Sequence, residues 1–204
     1  MKLIPDQYPR WAPLGLLLAL LPTIALAHAQ IGAADGLVTG FMHPVLGPDH
    51  VIAMVAVGIW SAQLGGPAIW LLPITFPLVM AVGGMLGAVG VPVPSVEIGI
   101  AASAIVLGAM VAAAARPPLG LALAIVCMFA IFHGHAHGTE LPEAVNPLAY
   151  GVGFVIATGL LHLTGILLGV LISWPLGERA VRLGGGLIVL GGGWFLMANT
   201  GALA

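Results

Sequence analysis

Charged side chains are nearly missing from this chain: they fill 6% of its 204 positions, where a soluble domain carries about 25%. Sixty per cent of the residues are hydrophobic, and the mean hydropathy is +1.15. Such a chain cannot cover itself with a water-compatible surface, so an all-α, polytopic membrane protein is expected. The formal net charge of −2 gives no sign of a nucleic-acid or acidic partner. One cysteine, Cys127, is present, so no intramolecular disulfide can form. It lies six residues before His133, on a different helical face, and reads as a small packing residue rather than a ligand. A Gly-x4-Gly-Lys-Ser/Thr loop is also lacking, so the chain has no recognisable ATP engine.

Glycine and proline, by contrast, are abundant, at 30 and 16 residues. They sit in apolar runs, where glycine lets helices approach closely and neighbours satisfy a broken backbone. The start reads as a secretory signal over residues 1–27: Lys2 and Arg10, an apolar run from Leu14 to Leu21, then Ala25-Leu26-Ala27. Ala27-His28-Ala29 is a competing cleavage site, and an uncleaved first helix is the alternative. Cleavage after Ala27 would leave His28 with a free amine beside its imidazole, a chelating pair. Residues 28–204 then form the membrane domain. Turn residues divide it into six apolar stretches, roughly 36–60, 68–90, 96–115, 119–138, 147–174 and 183–203, each near the length of about 20 residues that spans hydrocarbon as a helix.

Orientation follows from the few charges. Arg116, Arg179 and Arg182 fall after the third and fifth stretches, on one side, which the positive-inside rule makes cytoplasmic. Asp35, Glu97, Glu140 and Glu143 fall near the other face. A cleaved signal likewise leaves the mature N-terminus periplasmic. Trp60, Trp70 and Trp174 land at the cytoplasmic interface, where an aromatic belt is expected.

Against this background, two segments hold ionisable groups where insertion is costly. The first is His43-Pro44-Val45-Leu46-Gly47-Pro48-Asp49-His50, and the second Phe132-His133-Gly134-His135-Ala136-His137-Gly138-Thr139-Glu140. Ionisable residues inside a membrane usually mark an ion or substrate path, and histidine with carboxylate suits divalent transition metals. His43 and His50 are seven residues apart and share a helical face. Asp49 could ligate or hold an imidazole in place. Pro44, Gly47 and Pro48 should kink or unwind the helix between them. His133, His137 and Glu140 share one face at i, i+4 and i+7. His135 points elsewhere unless Gly134 and Gly138 let the segment bend. The site should occupy the outer half of the membrane, with His50 deepest and Glu140 nearest external water.

Blander readings apply to other residues. His162, beside Thr158 and Thr164, reads as a hydrogen bond to a neighbouring helix, with a further step of the path as the alternative. Glu140 and Glu143 could be solvated acids that only concentrate cations. Met42, Met54 and Met128 could offer thioethers but read as packing. Gly83/Gly87, Gly165/Gly169 and the triplets 184–186 and 191–193 suggest close helix contacts. Three stretches precede Arg116 and three follow it, each half opening with its His-rich helix, so an inverted 3+3 repeat is a natural expectation.

At these residues the chain resembles the HupE/UreJ family of nickel and cobalt permeases. That family's His-Pro-x-x-Gly-x-Asp-His motif is matched by His43, Pro44, Gly47, Asp49 and His50. Its Phe-His-Gly-His-Ala-His-Gly-x-Glu motif is matched by Phe132 through Gly138 and by Glu140. The resemblance implies a secondary transporter, not an enzyme, carrying Ni²⁺ or Co²⁺ from periplasm to cytoplasm across the bacterial inner membrane, with no permanent cofactor. The expected metal ligands are His43, Asp49, His50, His133, His135, His137, Glu140 and His28. The lipid bilayer is the other partner, and homo-oligomer formation is left open. Rival readings are a membrane metalloenzyme with a His/Asp-bound metal and a haem-binding electron carrier with paired axial histidines.

Overall fold

The computed structural model describes residues 33–141 and 146–201. The expected signal segment, His28 and Glu143 therefore lie outside the described residues. Those described form seven α-helices, with no strand among them: α1 (Ala33–Leu46), α2 (Pro48–Leu64), α3 (Ala68–Ala88), α4 (Val96–Ala113), α5 (Leu119–Thr139), α6 (Pro147–Gly169) and α7 (Pro175–Asn199). A short 3₁₀ turn, Val170–Ser173, follows α6. Five of the helices are long and apolar enough to cross a membrane, and α1 with α2 makes a sixth span if the bent pair counts as one. The molecule is a multi-pass membrane protein.

The break between α1 and α2 follows from local chemistry. Pro48 has no N–H to give the carbonyl of Pro44, so the helical ladder fails there. The residue before a proline is pushed out of the α region, and Gly47 is extended, with φ −88° and ψ 99°. The axis turns by 81°, far beyond an ordinary proline kink. Pro48 then occupies the first turn of α2, where its missing N–H costs nothing.

The bundle is assembled from helix pairs: α3 against α5, α4 against α7, and α6 against both α1 and α2. Without a hydrophobic force between helices in lipid, close van der Waals contact must hold them. Glycines supply it. A methyl group on Gly83 or Gly87 of α3 would strike the backbone of α5, and one on Gly134 or Gly138 of α5 would strike that of α3. Gly40 and Gly153 join α1 to α6, Gly58 and Gly165 join α2 to α6, and Gly108 with Gly185 joins α4 to α7. Of the two glycine triplets, Gly185 and Gly192 face α4, whereas Gly184, Gly186 and Gly193 meet nothing among the described residues.

The charged ends separate as the sequence suggests. At one end the Trp60 indole donates to the Ala115 carbonyl at 2.9 Å, Gln63 to Val111 at 3.0 Å, and Arg182 to Ala112 at 2.9 Å. At the other, Asn199 reaches the Glu97 carbonyl at 3.5 Å.

Two expectations need correction. Trp60 lies at the expected end but is fully buried and does not face lipid, because its N–H is engaged by the Ala115 carbonyl; Trp70 and Trp174 are 61% exposed, as a belt requires. The last span also begins at Pro175, eight residues early. The stretch 175–182 looked like a loop because it holds proline, glycine and charges. Proline is at home in a first helical turn, and Glu178 and Arg182 sit one turn apart with 3.7 Å between them.

Candidate metal-binding site

The bend at Gly47 carries the two motif helices to a common centre. His43, near the end of α1, lies beside His137 of α5, with ring centroids 4.7 Å apart. His50, in the first turn of α2, is 4.6 Å from His137 and 4.8 Å from His133. Glu140, capping α5, brings a carboxylate oxygen to 3.4 Å from His43 Nε2. His43, His137 and Glu140 each offer a ligand atom within 4.8 Å of the other two. A cavity of about 350 Å³ opens onto this group, lined by His43, Asp49, His50, Glu97, Ala136 and Glu140, among others.

Hydrogen bonds decide which ring nitrogens can coordinate. Asp49 Oδ1 accepts from His50 Nδ1 at 2.8 Å and from the His50 backbone N–H at 2.9 Å. The carboxylate can only accept, so Nδ1 carries the proton and Nε2 keeps its lone pair. Asp49 therefore holds the imidazole of its neighbour. The turn leaves no room beneath this pair: a Cβ on Gly47 would sit 3.1 Å from His50 Nδ1 and 3.2 Å from the Asp49 carboxylate.

His133 follows the same logic. Ser103 on α4 donates its hydroxyl to the Ile100 carbonyl at 2.6 Å and lies 2.9 Å from His133 Nε2. The hydroxyl proton is already engaged, so Nε2–H donates to the serine oxygen and Nδ1 is free. His50 Nε2, His133 Nδ1 and both nitrogens of His137 are buried without a protein partner among the described residues. Leaving one such group unsatisfied costs about 1–3 kcal/mol. Several at one place form a ready set of imidazole donors for a cation.

His135 is not in this group. Its Nε2 donates to the Val91 carbonyl at 2.7 Å, so its ring faces the α3–α4 connection. Gly134 and Gly138 do not bend α5 toward the centre; they are used up in packing on α3. His133 is fully enclosed, whereas His50 is 9% exposed. The first turn of α2 opens onto the cavity, and the bend holds it there. Met42 and Met128 are exposed and Met54 is core, while Cys127 is half-buried.

Three contributors had no clear signal in the chain. Ser103 is one small polar residue in an apolar helix, and only its place opposite His133 shows its use. Glu97 was visible as an outer acid, but not as part of the cavity wall. Tyr150, whose ring is 5.9 Å from that of His43, carries a buried hydroxyl with no protein partner among the described residues.

Fold and site together define a polytopic membrane protein with a histidine–carboxylate centre between its helices. The chain belongs to the HupE / UreJ protein family, whose sequence pattern matches residues 16–195. It is 44% identical over 181 residues to Protein HupE of Rhizobium leguminosarum bv. viciae, covering 88% of this chain and 95% of that protein. No solved structure matches it.

Proposed function

We propose that the protein is a secondary permease that moves Ni²⁺ or Co²⁺ from periplasm to cytoplasm across the bacterial inner membrane. The observation that carries this reading is the set of buried, unpartnered imidazole nitrogens of His50, His133 and His137 within a lipid-embedded bundle. Imidazole is a borderline ligand suited to nickel and cobalt. Each site nitrogen replaces a water of the entering ion, offsetting the dehydration cost of leaving the aqueous phase. Glu140, His43 and the cavity beside Glu97 form the mouth, His50 and His137 the middle, and His133 the enclosed end.

The Arg-rich end is cytoplasmic in this reading, by the positive-inside rule. Membrane potential then favours inward movement by about 2.3 kcal/mol per charge per 100 mV. An inverted 3+3 arrangement fits as well. Exchanging the α1/α2 span with α5, α3 with α6, and α4 with α7 leaves the principal helix pairings unchanged. A haem carrier is disfavoured by geometry. The histidine rings lie with centroids 4.6–4.8 Å apart, which leaves no slot for a porphyrin between axial ligands.

The test is radiolabelled Ni²⁺ uptake by purified protein in proteoliposomes, with Co²⁺ and Zn²⁺ as competitors. Wild-type protein should accumulate nickel, cobalt should compete best, and His50→Ala and His133→Ala should fall to the level of empty vesicles while still inserting. Wild-type uptake by either variant would refute the site.

A further inference from the structure

His162 lies on α6 outside the motif segments, and its environment repeats the design of the outer centre. It is 1% exposed, and its Nδ1 is 3.1 Å from the Pro73 carbonyl on α3. That carbonyl has a reason to need a donor. In a continuous helix it would receive the N–H four residues on, and that residue is Pro77, which has none. A carbonyl can only accept, so His162 Nδ1 carries the proton. The lone pair therefore sits on Nε2, which is buried with no protein partner among the described residues. A backbone carbonyl that fixes the tautomer of an imidazole is the arrangement found behind metal-ligating histidines.

A second group shares the face. Thr158 is one helical turn before His162, has 0% exposure, and its Oγ1 is likewise buried without a partner. The position relative to the outer centre is also defined. His162 is eight residues beyond Phe154, whose ring contacts that of His137 at 4.3 Å. Eight residues advance a helix by about 12 Å, here toward the Arg-rich end. The Phe76 ring contacts both histidines, with its centroid 5.5 Å from His133 and 5.5 Å from His162. Imidazoles thus continue past the enclosed end of the outer site, joined through a single aromatic ring.

We propose that His162 Nε2, with Thr158 Oγ1, is a second and weaker station for the transported divalent ion, inward of the outer centre and against Phe76. This rests on the permease reading. Two stations that share a dry ring let the ion leave the outer centre for another ligand instead of for bare hydrocarbon. The inner one offers fewer donors, as release toward the cytoplasm requires.

The test compares equilibrium Ni²⁺ binding in detergent with initial uptake rates in proteoliposomes, using the full chain. His162→Gln keeps a side-chain N–H for the Pro73 carbonyl but removes the imidazole. Binding at the outer centre should stay within about twofold, while uptake falls about tenfold or more. His162→Cys supplies a softer ligand, so the ratio of Cd²⁺ to Ni²⁺ uptake should rise about fivefold or more; a residue serving only as a helix clasp would leave that ratio unchanged. Should His162→Gln lose outer binding through misfolding, Thr158→Val decides, and slowed uptake with intact binding supports the station. Near-wild-type uptake by His162→Gln or by Thr158→Val, or an unaltered ratio in His162→Cys, overturns the inference. If the wild type takes up no metal, the permease reading fails and this one with it.

Discussion

An imidazole with a proton on one nitrogen can coordinate only through the other, and at His50 and His133 a particular acceptor makes that choice. Asp49 selects Nε2 of His50, and Ser103 selects Nδ1 of His133. Removing either acceptor leaves a buried N–H unsatisfied and lets the wrong nitrogen take the proton. Ser103→Ala should therefore weaken Ni²⁺ binding about 10- to 100-fold without removing a ligand atom, and Asp49→Ala at least as much, measured by calorimetric titration in detergent. An unchanged dissociation constant in Ser103→Ala would mean the serine has no part in positioning. The motif histidines and Asp49 were legible because each is costly in an apolar run. Ser103 was not, since a serine hydroxyl can satisfy itself on its own helix and so carries no such mark.

Helices in this bundle meet backbone to backbone, so the tolerance of each glycine depends on which face it occupies. Gly134 sits against the Met80 carbonyl, whereas Gly120 of the same helix has open space. Gly134→Val should lower the melting temperature in detergent sharply, the overpacking costing about 1–3 kcal/mol or more. Gly120→Ala should change stability by less than about 0.5 kcal/mol. Equal effects would contradict the α3–α5 packing. Glycine spacing announced close contacts but not their partners, because a run such as Gly184-Gly185-Gly186 places residues on several faces and only one meets α4. The helix break at Gly47-Pro48 was expected, but its size was not. A lost hydrogen bond permits a bend of many angles, and packing of α1 and α2 on α6 fixes this one at 81°.

Across the whole molecule, arginines collect at one end and the histidine–carboxylate centre opens toward the other. Two measurements test that polarity. In a Cys127→Ser background, Val91→Cys should react with a membrane-impermeant maleimide added outside intact cells, and Arg116→Cys should not; the reverse pattern would invert the proposed direction. Proton competition gives the second. Coordination needs the neutral imidazole, so protons displace metal, and uptake should decline as the external medium is made acid. A rate that does not change with external pH anywhere in the acid range would argue against histidine as the chief ligand.

The sequence by itself determined that this chain lives in a membrane, roughly where most of its spans lie, and which two segments hold the costly groups. Those conclusions rest on transfer energies, which depend on composition and order alone. Only the tertiary structure decided that His43, His50, His133 and His137 share a centre while His135 turns away, that Asp49 Oδ1 is spent on the imidazole and N–H of His50, and that His162 satisfies a carbonyl orphaned by Pro77. Convergence and hydrogen-bond partnership are relations between helices far apart in the chain, and periodicity within one helix fixes a face without fixing what that face meets.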